Sequence, residues 1–456
     1  MAGLPPGSPA EPLTVAADTS RRLSALDIAM MVAGIVIGAG IFRAPADVAR
    51  LAGDLPAFLG LWLLGGAIAI LGGVTYAGMA RSMAGIGGEY RFLAEGWGRV
   101  IAGLFVWARM AVIQTGALAT VAFVAGAYLA TLLPGGELGW ALASVALVTL
   151  FNLAGLSVSA GTQRLVSLAI ILALAALVVA GLALPSGSLA PAAGETPAGD
   201  RNLGLALVFV MLVYGGWNEA ASLSGETRGG ERTLRRGLLG GILLVALLYV
   251  AVNLSYIAAL GLDGLTATPA PAARIAEAAF GPAGSAVVAL VVALAAFSTL
   301  NVTTLTGARA MCALGRDLPA LAALGRWDAA RAVPVVSLLV QGAVALGLVG
   351  LGGLARDGFE AMVAFTAPVF WLFLVLVALV PFRVAGLGRL RLPAIPFAAA
   401  GLWMLWSSIG YARVLAGQSE LAGWLGLGGL ALVVAGLPLV LKKAAARSAG
   451  SGPARP

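Results

Sequence analysis

Stretches of about twenty apolar residues recur from near residue 26 to near residue 441, separated by short polar connections. Each is long enough for a helix to cross the hydrocarbon core of a bilayer. They lie at about 26–51, 57–80, 98–132, 138–158, 163–184 and 203–226. They continue at about 235–261, 284–312, 333–352, 357–381, 394–416 and 421–441. The pattern predicts an all-α integral membrane protein with about twelve transmembrane helices.

Two of these spans are interrupted by glycine. The first contains Gly34, Gly38 and Gly40; the sixth contains Gly215 and Gly216, followed by Trp217 and Asn218. Close helix packing is one use of such glycines. Their placement five spans apart suggests another, an inverted repeat of five plus five spans with a binding site at the breaks. Spans three and eight, the long ones, also correspond under that scheme. The expected division is repeat one at about 26–184, repeat two at about 203–381 and two extra C-terminal helices at about 394–441. Residues 23–442 then form the transporter domain, flanked by a loose polar tail over 1–22 and a second tail over 443–456.

Composition agrees with the pattern. Of 456 residues, 60% are hydrophobic and 11% charged, where a soluble domain carries about 25% charged. A soluble enzyme, a nucleic-acid-binding domain and a disordered scaffold are excluded. The net charge of +8 follows from arginine-rich connections. Arg21, Arg22, Arg81, Arg91, Arg99, Arg164, Arg228, Arg232, Arg235 and Arg236 all fall on one side of the predicted topology. Arg309, Arg316, Arg326, Arg331, Arg383, Arg389, Arg391, Lys442, Lys443, Arg447 and Arg455 fall on the same side. The opposite connections hold only Arg43, Arg50, Arg201, Arg274, Arg356 and Arg413. Positive charge stays in the cytoplasm, so both termini are expected there. The abundance of glycine, the two lysines and the compact loops suggest a multi-pass protein of a bacterial inner membrane. With no His and the single Cys312, there is no imidazole or thiolate metal site, and no cofactor is expected.

A broken helix exposes backbone groups that lipid cannot satisfy, so it must line a cavity or hold a ligand. In the first span the break falls at Gly38-Ala39-Gly40-Ile41-Phe42, with the outer half-helix beginning near Ile41. Its free N–H groups and positive dipole end suit a carboxylate. In the sixth span the break falls at Tyr214-Gly215-Gly216, where carbonyls face a cation such as an ammonium. Together the two form a receptor for a zwitterion.

Four motifs carry a family resemblance. GIVIGAGIFRAP (34–45), MAGIGGEYRFLAEGWG (83–98), YGGWNEAASLSGE (214–226) and FSTLNVTTLTGARAMCALGRDLP (297–319) resemble those of the amino acid–polyamine–organocation superfamily. The third resembles its L-type amino acid transporter branch. The resemblance implies a LeuT-type fold, alternating access and a small-molecule amino acid as substrate. It further implies an interfacial helix in the second motif. The Ala39 and Gly40 amides would hold the substrate carboxylate, beside Gly38 and Ile41. Carbonyls of Val36, Leu212, Val213 and Gly215 would hold its amine, with Tyr214, Trp217 and Asn218 adjoining.

The sequence departs from its relatives in three ways. Leu212 stands where many carry an aromatic gate. Ile170 stands where many carry a fifth-span lysine. Animal members join a second subunit through a disulfide, which the lone Cys312 does not support. Ser298 and Thr299 offer hydroxyls for a possible sodium site, although such groups in membrane helices ordinarily bond backbone.

Two charges lie inside the spans, Arg109 and Glu219. Each costs about 3 kcal/mol or more if it faces lipid unpaired. Glu219 either caps the inner half-helix or titrates as a gate. Arg109 either snorkels to the surface or pairs with Glu219. The expected function is exchange or facilitated transport of amino acids, neutral by preference, across the plasma membrane. The alternatives are a basic amino acid or polyamine antiporter using Glu219, and a channel or non-transporting sensor of the same fold. Trp62, Trp371 and Trp403 are expected to face lipid or the interface, and Pro368 to kink span ten. Nothing in the sequence suggests an enzyme or a nucleic-acid partner; the bilayer is the expected surrounding.

Overall fold

Ser24 starts the first helix. Its hydroxyl accepts from Asp27 N (3.2 Å) while Asp27 Oδ2 accepts from Ser24 N (2.9 Å), a reciprocal cap on two otherwise orphaned amides. The computed structural model describes residues 24–83, 88–155, 160–189, 201–220, 231–317, 319–328, 331–355, 357–418 and 420–450. Within these, the side chains of 160–164, 219–220, 231, 317, 319–320, 414–418, 420–423 and 442–450 are excepted. The predicted tail over 1–22 lies outside the described residues.

Every described element of length is helical. Span one comprises Ala25–Val36, a 3-10 turn over Ala39–Phe42 and a second helix, Ala44–Ala52. Its outer half therefore starts at Ala44 and not near Ile41. The tight turn occupies the intervening residues, and Pro45, with its fixed φ and missing N–H, begins the new helix. Span two, Leu55–Ser82, is capped by Asp54, whose Oδ1 accepts from Ala57 N at 2.7 Å. A separate helix, Gly88–Trp97, precedes span three. Span three runs over Arg99–Ala108, a π turn at Arg109–Ile113, and Gln114–Leu132.

Spans four and five are Glu137–Leu153 and Ala160–Ala183. Span six consists of Leu203–Val213, a turn at Tyr214-Gly215-Gly216, and Trp217–Ala220. Spans seven and eight, Glu231–Thr266 and Pro271–Asp317, bend at Gly261 and Gly281, both with positive φ. Spans nine to twelve are Val335–Gly352, Gly358–Ala378, Arg391–Gln418 and Glu420–Gly450. The last helix thus continues to Gly450, into the stretch expected as a tail. Among the described residues nine helices are long and apolar enough to cross a membrane. Three shorter apolar helices, Ala25–Val36, Glu137–Leu153 and Leu203–Val213, supply spans one, four and six, the first and last being halves of broken spans.

The two broken spans lie side by side in opposite directions. Ala44–Ala52 packs on Leu203–Val213, and Ala25–Val36 packs on Trp217–Ala220. The breaks consequently meet at one level, with spans three, eight and ten around them.

Two aromatic expectations change. Trp62 and Trp371 read from sequence as lipid-facing or interfacial, yet both are buried. Trp62 stands edge-on to Phe58 and Tyr249 and against Tyr214, and Trp371 lines the central cavity. Trp403 is exposed, as expected. Pro368, expected to kink span ten, lies within a continuous helix.

Candidate functional site

A cavity of about 360 Å³ opens where the two breaks meet, a size within the usual range for small-ligand pockets. From span one it is lined by Ile35, Val36, Gly38, Ala39 and Gly40. Span six contributes Val208, Met211, Leu212, Val213, Gly215, Gly216 and Asn218. Gly216 adopts φ +106°, a left-handed conformation that a side chain would strain, and an added Cβ would lie 2.9 Å from Ile35 Cγ2. This glycine lets the two breaks touch. Gly34 has open space around it and makes no such contact.

Tyrosine hydroxyls hold the breaks in shape. Tyr249 of span seven reaches the Val36 carbonyl at 2.9 Å and the Val213 carbonyl at 3.3 Å. One O–H thereby serves a carbonyl on each broken helix. Both carbonyls keep a second lone pair. Tyr128 donates to Phe42 O at 2.7 Å, and Tyr214 to Trp62 O at 3.1 Å. The sequence reading missed Tyr249, which lies in an apolar span with no glycine-rich break beside it to single it out.

The remaining predicted residues divide. Ile41 and Tyr214 are buried behind the cavity wall. Trp217 points away, its ring at the position where a Cβ on Gly72 would stand, packed against Tyr76 and Phe397. Leu212 is 39% exposed, in keeping with a wall that carries no aromatic lid at that point. Thr299 lines the cavity and donates its hydroxyl to Ala295 O (3.0 Å), whereas Ser298 is buried. Of the two hydroxyls expected for a sodium site, the one at Thr299 faces the cavity and is engaged with backbone.

Arg109 faces inward, and its expected pairing with Glu219 falls outside the described residues. It lines the cavity and forms an ion pair with Glu89 (Nη1 to Oε2, 4.0 Å). The π turn beginning at Arg109 and the helix Gly88–Trp97 bring the two together. Glu89 Oε1 accepts from Tyr76 Oη (2.8 Å) and Asn218 Nδ2 (3.1 Å). Arg109 Nε donates to Gln114 Oε1 (3.4 Å), and Gln114 Nε2 donates to Thr306 Oγ1 (3.0 Å). One network thus ties spans two, three, six and eight across one end of the cavity. Asn218, taken from sequence as a substrate ligand, is bonded to Glu89 in this conformation. The side chain of Glu219 lies outside the described residues. Glu89 and Arg109 are the ionisable groups among the described cavity-lining residues, and their formal charges cancel.

The other end is closed differently. Phe359, at the cavity wall, stacks on Phe209 with ring centroids 5.8 Å apart. Behind it the Arg43 guanidinium lies 5.5 Å from the Phe359 ring and bonds Asp357 Oδ2 at 2.5 Å. Asp47 stands 4.0 Å from Arg43, and Arg50 bridges Asp47 (3.5 Å) to Glu360 (3.0 Å), which also accepts from Tyr411. A buried cluster of charges therefore joins span one to spans ten and eleven.

Two inward-facing breaks between two polar closures suit a small zwitterion enclosed from both sides. Cys312 is buried in span eight, so its thiol is not presented to a second subunit.

The chain is 27% identical over 326 residues to the serine/threonine exchanger SteT of Bacillus subtilis (strain 168), covering 69% of this chain and 73% of that protein. It is 27% identical over 332 residues to the human b(0,+)-type amino acid transporter 1, covering 69% of this chain and 67% of that protein. The human large neutral amino acids transporter small subunit 2 is 27% identical over 323 residues, covering 68% and 60%. Residues 23–416, which include both breaks, the cavity and both closures, match the amino acid permease model, and the chain belongs to that family.

Proposed function

We propose that this permease moves a neutral amino acid across the plasma membrane by exchange or facilitated transport, through alternating access. The observation that carries the reading is the pairing of two helix breaks around a cavity whose described lining residues carry zero net charge. The 3-10 turn Ala39–Phe42 begins without a side-chain cap, leaving amides at Ala39 and Gly40 for the substrate carboxylate. The carbonyls of Val36, Leu212, Val213 and Gly215 serve the ammonium. The substrate side chain then faces the span three and span ten wall, which mixes Val121, Val363 and Phe370 with Thr120 and Thr366. Serine/threonine and large neutral amino acids in the names of relatives agree with this.

The arginine distribution supports cytoplasmic termini, and the two paired breaks support repeat one at about 26–184 and repeat two at about 203–381. The Glu89–Arg109 network is then the cytoplasmic gate and the Arg43–Asp357 cluster the outer one. Glu219, a carboxylate within span six next to Asn218, is the candidate for gating or proton coupling together with Arg109. A bacterial inner membrane is the proposed location.

Counterflow uptake in proteoliposomes tests the reading, with serine, leucine, arginine, glutamate and putrescine, with and without sodium or a pH gradient. Saturable exchange of serine or leucine is expected. Exchange confined to arginine and putrescine overturns the neutral assignment. A non-saturating current, or binding without flux, overturns transport by alternating access.

A further inference from the structure

A second opening lies away from the substrate cavity, where the end of span two, the start of span seven and the connection between spans ten and eleven converge. It is a cleft of about 1250 Å³. Its wall is apolar and includes Leu71, Val74, Leu392 and Ile395, the last two 80% and 56% exposed. Arg81, Arg235 and Arg389 also line it. The shape is built in: Leu390 seats on Gly78, where an added Cβ would lie 2.4 Å from Leu390 Cδ2.

The arginines here fall into two groups. Arg383 stacks 4.3 Å over the Trp97 ring and donates to Gly96 O at 2.8 Å. Arg391 donates to Pro381 O at 3.3 Å and lies over Phe382. These two hold the connection together. Arg235 and Arg389, by contrast, are exposed and form no ion pair among the described residues.

We propose that this cleft binds an anionic phospholipid, with its phosphate between Arg235 and Arg389 and an acyl chain along Leu71, Val74, Leu392 and Ile395. Arginines alone would serve any phosphate, and an apolar wall alone would serve any lipid. Their combination at the end of membrane-spanning helices selects a molecule carrying both. A zwitterionic lipid brings its own cation to the same arginines and gains less. A water-soluble anion leaves the apolar wall uncovered.

The test uses the full chain, purified in detergent, stripped of lipid and equilibrated with equal amounts of phosphatidylglycerol and phosphatidylcholine. Retained lipid is quantified by mass spectrometry. Phosphatidylglycerol is expected to be enriched, and Arg235→Gln/Arg389→Gln to reduce the enrichment about tenfold. Arg326→Gln, an exposed arginine elsewhere, is expected to leave it unchanged. Arg389→Gln alone, on the 3-10 turn Gly388–Leu390, is measured if the double variant is not monodisperse. Equal retention of both lipids by the unmodified chain overturns the proposal. So does undiminished enrichment in the Arg389 variant, or displacement of phosphatidylglycerol by millimolar inorganic phosphate, which would mark a site for the free anion.

Discussion

Arg43 and Asp357 are 314 positions apart in the chain, yet their side chains meet at 2.5 Å. Asp357 serves two purposes: its Oδ1 accepts from Glu360 N (3.0 Å) to cap span ten, and its Oδ2 receives Arg43. Asparagine caps a helix as well as aspartate does but carries no charge. Asp357→Asn is therefore expected to keep span ten intact while weakening the closure. With Cys312 buried as the sole cysteine, Val208→Cys in the cavity wall provides a reporter. Its labelling by an impermeant maleimide from the Arg43 face should rise several-fold in Asp357→Asn; an unchanged rate would mean that this pair does not close the cavity.

Glu89 and Arg109 make the opposite closure, and each is a charge whose partner is close at hand. Removing one member of a buried pair strands the other, typically at about 3–5 kcal/mol when fully buried and less for a pair partly reached by water, as here. Glu89→Gln should lower exchange by about tenfold. Glu89→Gln/Arg109→Gln should lose less than the sum of the two single changes, because neither charge is then left alone. Strict additivity in initial uptake rates would show that the two side chains act independently.

Tyr249→Phe removes a single oxygen that touches a carbonyl of each broken span. Loss of such a hydrogen bond in a buried setting amounts to about 1–3 kcal/mol. The variant is expected to insert and purify normally and to show a KM raised about tenfold, with the maximal rate less affected. A fall in maximal rate at unchanged KM would place Tyr249 in the conformational step and not in shaping the binding site.

Gly216→Ala and Gly34→Ala separate the two meanings of glycine in a membrane helix. At Gly216 the left-handed backbone and the 2.9 Å approach to Ile35 Cγ2 both oppose a side chain. The strain alone is about 1–2 kcal/mol, so a lower Tm and loss of uptake are expected. At Gly34 nothing stands within 4 Å, and alanine should be neutral or mildly stabilising. Thermal unfolding in detergent measures both.

The architecture was legible because its signals are local. Runs of apolar residues mark spans, and Gly38-Ala39-Gly40 and Tyr214-Gly215-Gly216 mark breaks, since only a ligand or cavity excuses unpaired backbone in lipid. The partners that complete the site were not legible. Glu89 lies outside the spans in a stretch that also holds Arg91 and Glu95, where charge ordinarily means a solvated face. Only folding turns its helix beneath the cavity. Arg43 and Arg50 likewise read as charges of the outer connections, and nothing local announces that span ten will bring carboxylates to meet them. Trp217 follows a break and was expected in the cavity, but the notch at Gly72, which draws it away, is 145 positions distant in sequence, as the difference between 217 and 72.

The π turn at Arg109–Ile113 gives span three a property that ordinary helices lack. Its widened hydrogen bond, from Gln114 N to Arg109 O, accommodates one residue more than an α-turn. The helix on either side is consequently out of phase by about 100°. Arg109 can look toward Glu89 while Gln114, Ala117, Val121 and Val124 still face the substrate cavity. Excising a single residue from this turn would restore a regular helix but rotate one of those two sets out of the cavity. Under the proposed function, span three therefore holds gate and pocket in two separate phases, and its length, counted to the residue, would be a determinant of transport.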